Sequence, residues 1–187
     1  MDTSRMNQSR DERGTSIIEV LMASLILTTG LLAVAMTLGA GVSSMFIAQE
    51  ELVAKQKARE ALESVFTARN TQNIIFDQIR NVSDGGIFMN GYKPVVEMGI
   101  DGLVNTADDV NEPVEKIVLA GKDLQLGTTD DETRWLTAFQ RQITITDVLL
   151  QNGNVDPDIR QIAVEVRFQN RGVWRTVRVN SYISKFS

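Results

Sequence analysis

The stretch Arg13-Gly14-Thr15-Ser16-Ile17-Ile18-Glu19-Val20-Leu21 opens a segment with no further charge until Glu50. It sets one carboxylate, Glu19, at the head of a long apolar run, just after a glycine that closes a short polar leader. A lone carboxylate at mid-bilayer costs about 2.5–3.5 kcal/mol on insertion scales, so an acid on a membrane-facing helix is a functional residue by default. The plainer reading puts Glu19 at the headgroup boundary of an ordinary anchor, where it costs little.

Working outward, the run from Val20 to Gln49 is uncharged. About 20 apolar residues cross a bilayer as a helix, so this run suffices. A secretory apolar region is only about 7–15 residues long, which argues against simple removal by signal peptidase. The small residues at Leu38-Gly39-Ala40 keep that alternative open. Gly30, Gly39 and Gly41 lie inside the run and mark places for a bend or for close helix packing. Upstream, Arg5, Arg10 and Arg13 sit in the leader, residues 1–14, and the first positive residue beyond the run is Lys55. Lys and Arg near a span stay on the cytoplasmic side, so the chain is expected to cross once, N-in and C-out.

Gly14 followed by Thr15-Ser16-Ile17-Ile18-Glu19-Val20-Leu21-Met22-Ala23 resembles the prepilin N-terminal cleavage and methylation motif of type IV pilins and type II secretion pseudopilins. The continuation through Ser24-Leu25-Ile26-Leu27 to Gly30-Leu31-Leu32-Ala33 is similar to the minor-pilin subgroup called PilV-like. The resemblance implies cleavage after Gly14 by prepilin peptidase and methylation of the new N-terminus on Thr15. It also implies a role for Glu19 in assembly. The chain departs from the pattern at Thr15, where most relatives carry Phe or Met. The implied fold is α+β: a long N-terminal membrane-spanning helix packed on a C-terminal antiparallel sheet. The expected division is a leader at 1–14, a transmembrane and assembly helix at 15–47, and an extracytoplasmic domain at 48–187. The implied partners are other pilin or pseudopilin subunits, the prepilin peptidase and an inner-membrane assembly platform. The implied location is the bacterial cytoplasmic membrane, then a pilus or pseudopilus outside the cytoplasm.

The composition fits one domain plus a membrane helix. The chain has 187 residues, a net charge of −5 and no Cys or His. Without Cys there is no disulfide and no thiolate metal site. Without His the usual general base is missing, and no Ser-Lys or paired-acid motif replaces it, so an enzyme is not expected.

Beyond the span, Ala54, Ala58, Ala61, Leu62, Val65 and Phe66 recur at three- and four-residue steps, the mark of a helix with one buried face. Glu51 and Lys55 add a helical pair with the acid first. A second short helix is expected from Thr71 to Ile79, ended by Asp84-Gly85-Gly86. In the C-terminal third, Phe139, Arg141, Ile143 and Ile145 alternate with polar residues, and so do Ile162, Val164, Val166 and Phe168. That period of two indicates half-buried antiparallel strands. Asn170-Arg171-Gly172 turns the chain into a last strand, Val173–Ile183.

Residues 97–132 read as acidic loop, with ten acids against two bases. They hold an internal repeat: Gly99, Asp101, Thr106, Asp108 and Asp109 recur as Gly121, Asp123, Thr128, Asp130 and Asp131. Ca²⁺ takes six to eight oxygens, so Asp101, Asn105, Asp108 and Asp109 form a candidate calcium set, with Asp123, Asp130 and Asp131 a second. The spacing is not that of an EF-hand, and the alternative is two acidic turns capped by Thr and Asp side chains.

The expected function is thus a structural filament subunit, a minor pilin or pseudopilin. The alternative is a membrane-anchored binding module, an adhesin or DNA-uptake minor pilin. For that role Arg167, Arg175, Arg178 and Trp174 would supply the surface. Nucleic acid is the less expected ligand, because such residues ordinarily make a solvated strand face.

Overall fold

The computed structural model describes residues 16–186. One helix, α1, runs from Ile17 to Asn70. The chain divides into two compact units between Phe46 and Ile47.

In the first unit α1 passes through Gly30, Gly39 and Gly41 without a break. No described residue from Ser16 to Val42 is even half-buried. The hydroxyls in this part turn inward on the helix itself. Ser24 donates to the Leu21 carbonyl at 2.9 Å, Thr28 to Ser24 at 2.8 Å, and Thr37 to Ala33 at 2.8 Å. Each hydroxyl is thereby satisfied without water, as a lipid environment demands.

In the second unit the helical stripe is the one the spacing gives. Ala54, Ala58, Ala61 and Val65 are fully buried, Ala68 joins them, and Leu62 and Phe66 pack at the margin. Alanine at these positions lets the helix lie close to what covers it. The Glu51–Lys55 pair closes at 3.0 Å on the solvent side.

The cover is a four-stranded antiparallel sheet. Its strands are β1 (Lys93–Pro94), β4 (Phe139–Leu149), β5 (Val155–Asn170) and β6 (Val173–Ser184), in the order β1-β4-β5-β6. Phe139 pairs with Phe168, and their rings stack at 5.6 Å between centroids. Ile143 lies opposite Val164, and Ile145 opposite Ile162. All of these belong to the same buried cluster as the helix alanines. Asn170 pairs with Val173 across a two-residue turn whose central residues, Arg171 and Gly172, both have positive φ, at 50° and 80°. That is the backbone a tight hairpin requires.

Two expectations are corrected here. Thr71–Ile79 is not an α-helix. α1 ends at Asn70, Gln72 has φ 61°, and only Phe76–Gln78 forms a 3₁₀ turn. Ile74, Phe76 and Ile79 are buried through that turn, and the buried Arg160 guanidinium donates to the Phe76 and Ile79 carbonyls. Residues 97–132 are likewise not all loop. They hold a 3₁₀ turn at Ala107–Asn111 and strand β2 (Lys116–Leu119), which pairs antiparallel with β3 (Glu132–Trp135). Arg134 on β3 clamps Glu50 on α1 through two bonds of 2.9 Å, and Lys57 on α1 bonds both Glu60, at 2.7 Å, and Glu115 beside β2. The Arg134–Glu50 and Lys57–Glu115 pairs hold the small ribbon to the helix.

Candidate functional site

Glu19 lies in the first turn of α1, exposed on a helix whose neighbouring side chains are apolar and exposed too. A carboxylate there faces the positive end of the helix dipole. Its side chain has no hydrogen bond or ion pair among the described residues. Gly14 and Thr15, the expected cleavage and methylation positions, lie outside the described residues. Among the described residues one helix, α1, is long and apolar enough to cross a membrane.

The candidate calcium residues are brought together, but as acceptors for backbone. Asp109 takes the Gly99 N–H on one oxygen at 2.8 Å and the Thr106 N–H on the other at 3.1 Å. Asp108 takes the Asp101 N–H at 3.2 Å and the Thr106 hydroxyl at 2.7 Å, and Asp101 takes the Leu103 N–H at 2.8 Å. Asn105 is committed elsewhere: its Oδ1 accepts from Arg141 Nε at 2.9 Å, and its Nδ2 donates to the Arg141 carbonyl at 3.1 Å. No three acids among the described residues converge as a metal cluster. The frame is that of a capped acidic turn.

Gly99 belongs to it for a steric reason, since a Cβ there would run into the Asp108 carboxylate. Electrostatics differ sharply between neighbours. Burial raises the Asp109 carboxyl above the usual range against the pull of its backbone donors. The Thr106 hydroxyl lowers Asp108. Arg141, 2% exposed, has its pKa lowered by burial, with Glu115 and Asp109 opposing.

The second turn repeats the first nearly bond for bond. Asp130 takes the Asp123 N–H at 3.3 Å and the Thr128 hydroxyl at 2.8 Å. Asp123 takes the Gln125 N–H at 2.9 Å, and Asp131 takes the Thr128 N–H at 3.2 Å. The Thr128 hydroxyl lowers Asp130 as Thr106 lowers Asp108. Two differences stand out. Asp131 Oδ1 is buried without a hydrogen-bond partner, where the equivalent Asp109 oxygen holds Gly99. Leu124 has φ 57° where the first turn has Gly102 at 69°. A left-handed conformation costs an L-residue about 1–2 kcal/mol.

Arg141 and Lys57, which tie the first turn and the ribbon to the core, were not marked as site residues by the sequence. The signal for Arg141 was its place in the inward set of the Phe139–Ile145 alternation. On the outer face of the sheet Arg167 lies between two aromatic rings, 3.8 Å from the Tyr92 centroid and 4.5 Å from that of Trp174. It also donates to Gln140 at 2.9 and 2.6 Å, and Arg178 pairs with Glu165 at 3.3 Å. Arg175 is exposed but lies on the other face of β6, opposite Phe168. No protein-family model matches the chain, and neither a curated protein nor a solved structure matches it.

Proposed function

We propose that this chain is a minor pilin or pseudopilin, a structural subunit of a type IV pilus or type II secretion pseudopilus. In this reading prepilin peptidase cuts after Gly14 while α1 spans the cytoplasmic membrane N-in and C-out. The subunit is then drawn from the membrane into the filament by the assembly platform. The observation that carries the reading is Glu19, which has no partner among the described residues and stands five residues beyond Gly14 at the head of the exposed apolar part of α1. Cleavage frees a cationic amine on Thr15. A neighbouring subunit's Glu19 pairs with that amine where water is scarce. Losing one partner of a buried pair costs about 3–5 kcal/mol, enough to fix the register between subunits. No role in catalysis and no bound cofactor enter this reading.

Mass spectrometry of the protein from its native host tests it. The expected mature chain begins at Thr15, and Gly14→Val leaves an uncut membrane species. A mature start near Gly41 would point instead to signal peptidase and end the pilin reading. Glu19→Ala is expected to stay in the membrane but to be depleted from sheared filaments. Normal incorporation of this variant rules out the pairing role.

The second reading, a membrane-anchored module that binds DNA, draws on the Tyr92–Arg167–Trp174 stack on the outer face of the sheet. Most of that positive charge is already committed within the chain, Arg167 to Gln140 and Arg178 to Glu165. A salt-dependent mobility shift with short DNA, lost in Trp174→Ala, would favour it.

A further inference from the structure

The two acidic turns share one hydrogen-bond frame and differ in what covers them. In the first, Val104 is 4% exposed and belongs to the core. Its equivalent in the second, Leu126, is 68% exposed, and Leu124 is 85% exposed. Leu124 also keeps a left-handed backbone where the first turn has glycine, a cost that brings it no packing within the chain.

The same turn forms part of the wall of an open cavity of about 570 Å³, room enough for a small ligand. Leu52 and Val53 of α1 and Ile117 and Leu119 of β2 give the cavity an apolar side. Lys122 and Glu132 line it as well. Both are exposed, and among the described residues neither side-chain charge has a hydrogen bond or ion pair. The other charges of the wall are committed: Arg134 is held by Glu50, and Asp130 takes backbone and hydroxyl donors. One free cation and one free anion beside an apolar side suit a dipolar ligand with an apolar end.

The position of the cavity along α1 narrows the choice. All its residues belong to the second unit, and Gln49, which lines it, follows Phe46 by three residues. At about 1.5 Å per residue, that is about 4.5 Å of helix beyond the first unit. If the apolar stretch is the membrane anchor, the cavity opens at headgroup depth. Residues 97–132 carry ten acids against two bases, which repels an anionic lipid surface and a free phosphate alike.

We propose that this cavity binds the headgroup of a zwitterionic phospholipid, one bearing a phosphate and an ammonium. Lys122 meets the phosphate and Glu132 the ammonium, while Leu52 and Leu119 take the glycerol end of the acyl chains. Leu124 and Leu126 enter the interface beside the bound lipid. The proposal rests on the membrane anchor of the reading above, and not on cleavage or filament assembly.

Native mass spectrometry of the full-length protein tests it, with the protein released from micelles that hold equal phosphatidylethanolamine and phosphatidylglycerol. One phosphatidylethanolamine per chain is expected to stay bound, several-fold in excess of phosphatidylglycerol. Lys122→Glu and Glu132→Lys are each expected to abolish that preference, and because both side chains are exposed, neither is expected to unfold the chain. Equal retention of the two lipids, or a preference that survives both substitutions, means lipid held only around α1 and overturns the proposal. A second measurement uses the absence of cysteine. A fluorophore on Leu124→Cys, in protein reconstituted into phosphatidylethanolamine-containing vesicles, is expected to be quenched by headgroup-level nitroxide lipids several-fold more than one on Ile100→Cys, an exposed residue of the first turn. Equal quenching at the two positions overturns it too. A mature start other than Thr15 would end the filament reading and leave both results standing.

Discussion

Asp108 and Asp109 are adjacent in sequence and shifted in opposite directions, Asp108 down by the Thr106 hydroxyl and Asp109 up by burial. The signs carry over to stability. A carboxyl held below its unfolded value adds stability that is present above the unfolded pKa and is lost as pH falls through the folded one. Asp109 behaves the other way. Its folded form holds the proton longer, so stability is lost as pH rises through the carboxylate range. Asp108→Asn isolates the first effect. The amide oxygen can still take the Asp101 N–H, and the amide nitrogen can donate to Thr106, whose hydroxyl turns to accept. In thermal melts between about pH 5 and about pH 3, the variant is expected to lose less stability on acidification than the parent. Parallel pH profiles would show that Asp108 contributes no proton-linked stability.

At the scale of the elements, the repeated turn allows a comparison within one molecule. Leu124 and Gly102 occupy equivalent left-handed positions, and only the leucine is strained there. Leu124→Gly is expected to raise the stability of the isolated chain by about 1 kcal/mol, set by relief of that conformation less the entropy glycine costs in the unfolded chain. A lower melting temperature would mean that Leu124 packs where it stands. Calcium bears on the same frame. Each turn carboxylate already faces a backbone or hydroxyl donor, so the turns hold their shape without a cation. Millimolar Ca²⁺ is expected to leave the melting curve unmoved. A site filled at a hundred times its Kd would raise stability by about 2.7 kcal/mol. A rise of that kind, abolished by Asp108→Ala with Asp109→Ala, would establish the calcium site instead. The repeat itself was legible from spacing, and so were β4, β5 and β6 from their alternation. Arg141 was visible only as a member of the inward set, because its partner Asn105 is 36 residues away. The β2–β3 ribbon was not legible. Its strands are four residues each, without clean alternation, and its hold on α1 comes from Arg134–Glu50 and Lys57–Glu115. Such pairs leave no local pattern.

For the whole molecule, the division between Phe46 and Ile47 separates an exposed apolar stretch from a unit with a buried core. Every buried apolar side chain among the described residues lies from Ala54 to Ile183, while the large apolar residues of α1 from Ile17 to Phe46 are all exposed. That part of α1 is long and apolar enough to cross a membrane. The sequence made this half legible because a run without charge is a local property. It could not show whether the core draws on that run, which depends on the packing of distant strands. Among the described residues the first helical member of the buried cluster is Ala54. A chain beginning at Ile47 therefore keeps every residue of the core, the Glu50–Arg134 clamp and the Lys57 network. It is expected to stay in solution without detergent and to melt in one cooperative transition, whereas the full chain partitions into membranes or micelles. The two should melt within a few degrees of each other when the full chain is held in a mild detergent. At about 1 kcal/mol for each 2–8 °C in domains of this size range, a larger gap would reveal stabilising contacts from the apolar half. An unfolded fragment would go further and place part of the folding core N-terminal to Ile47.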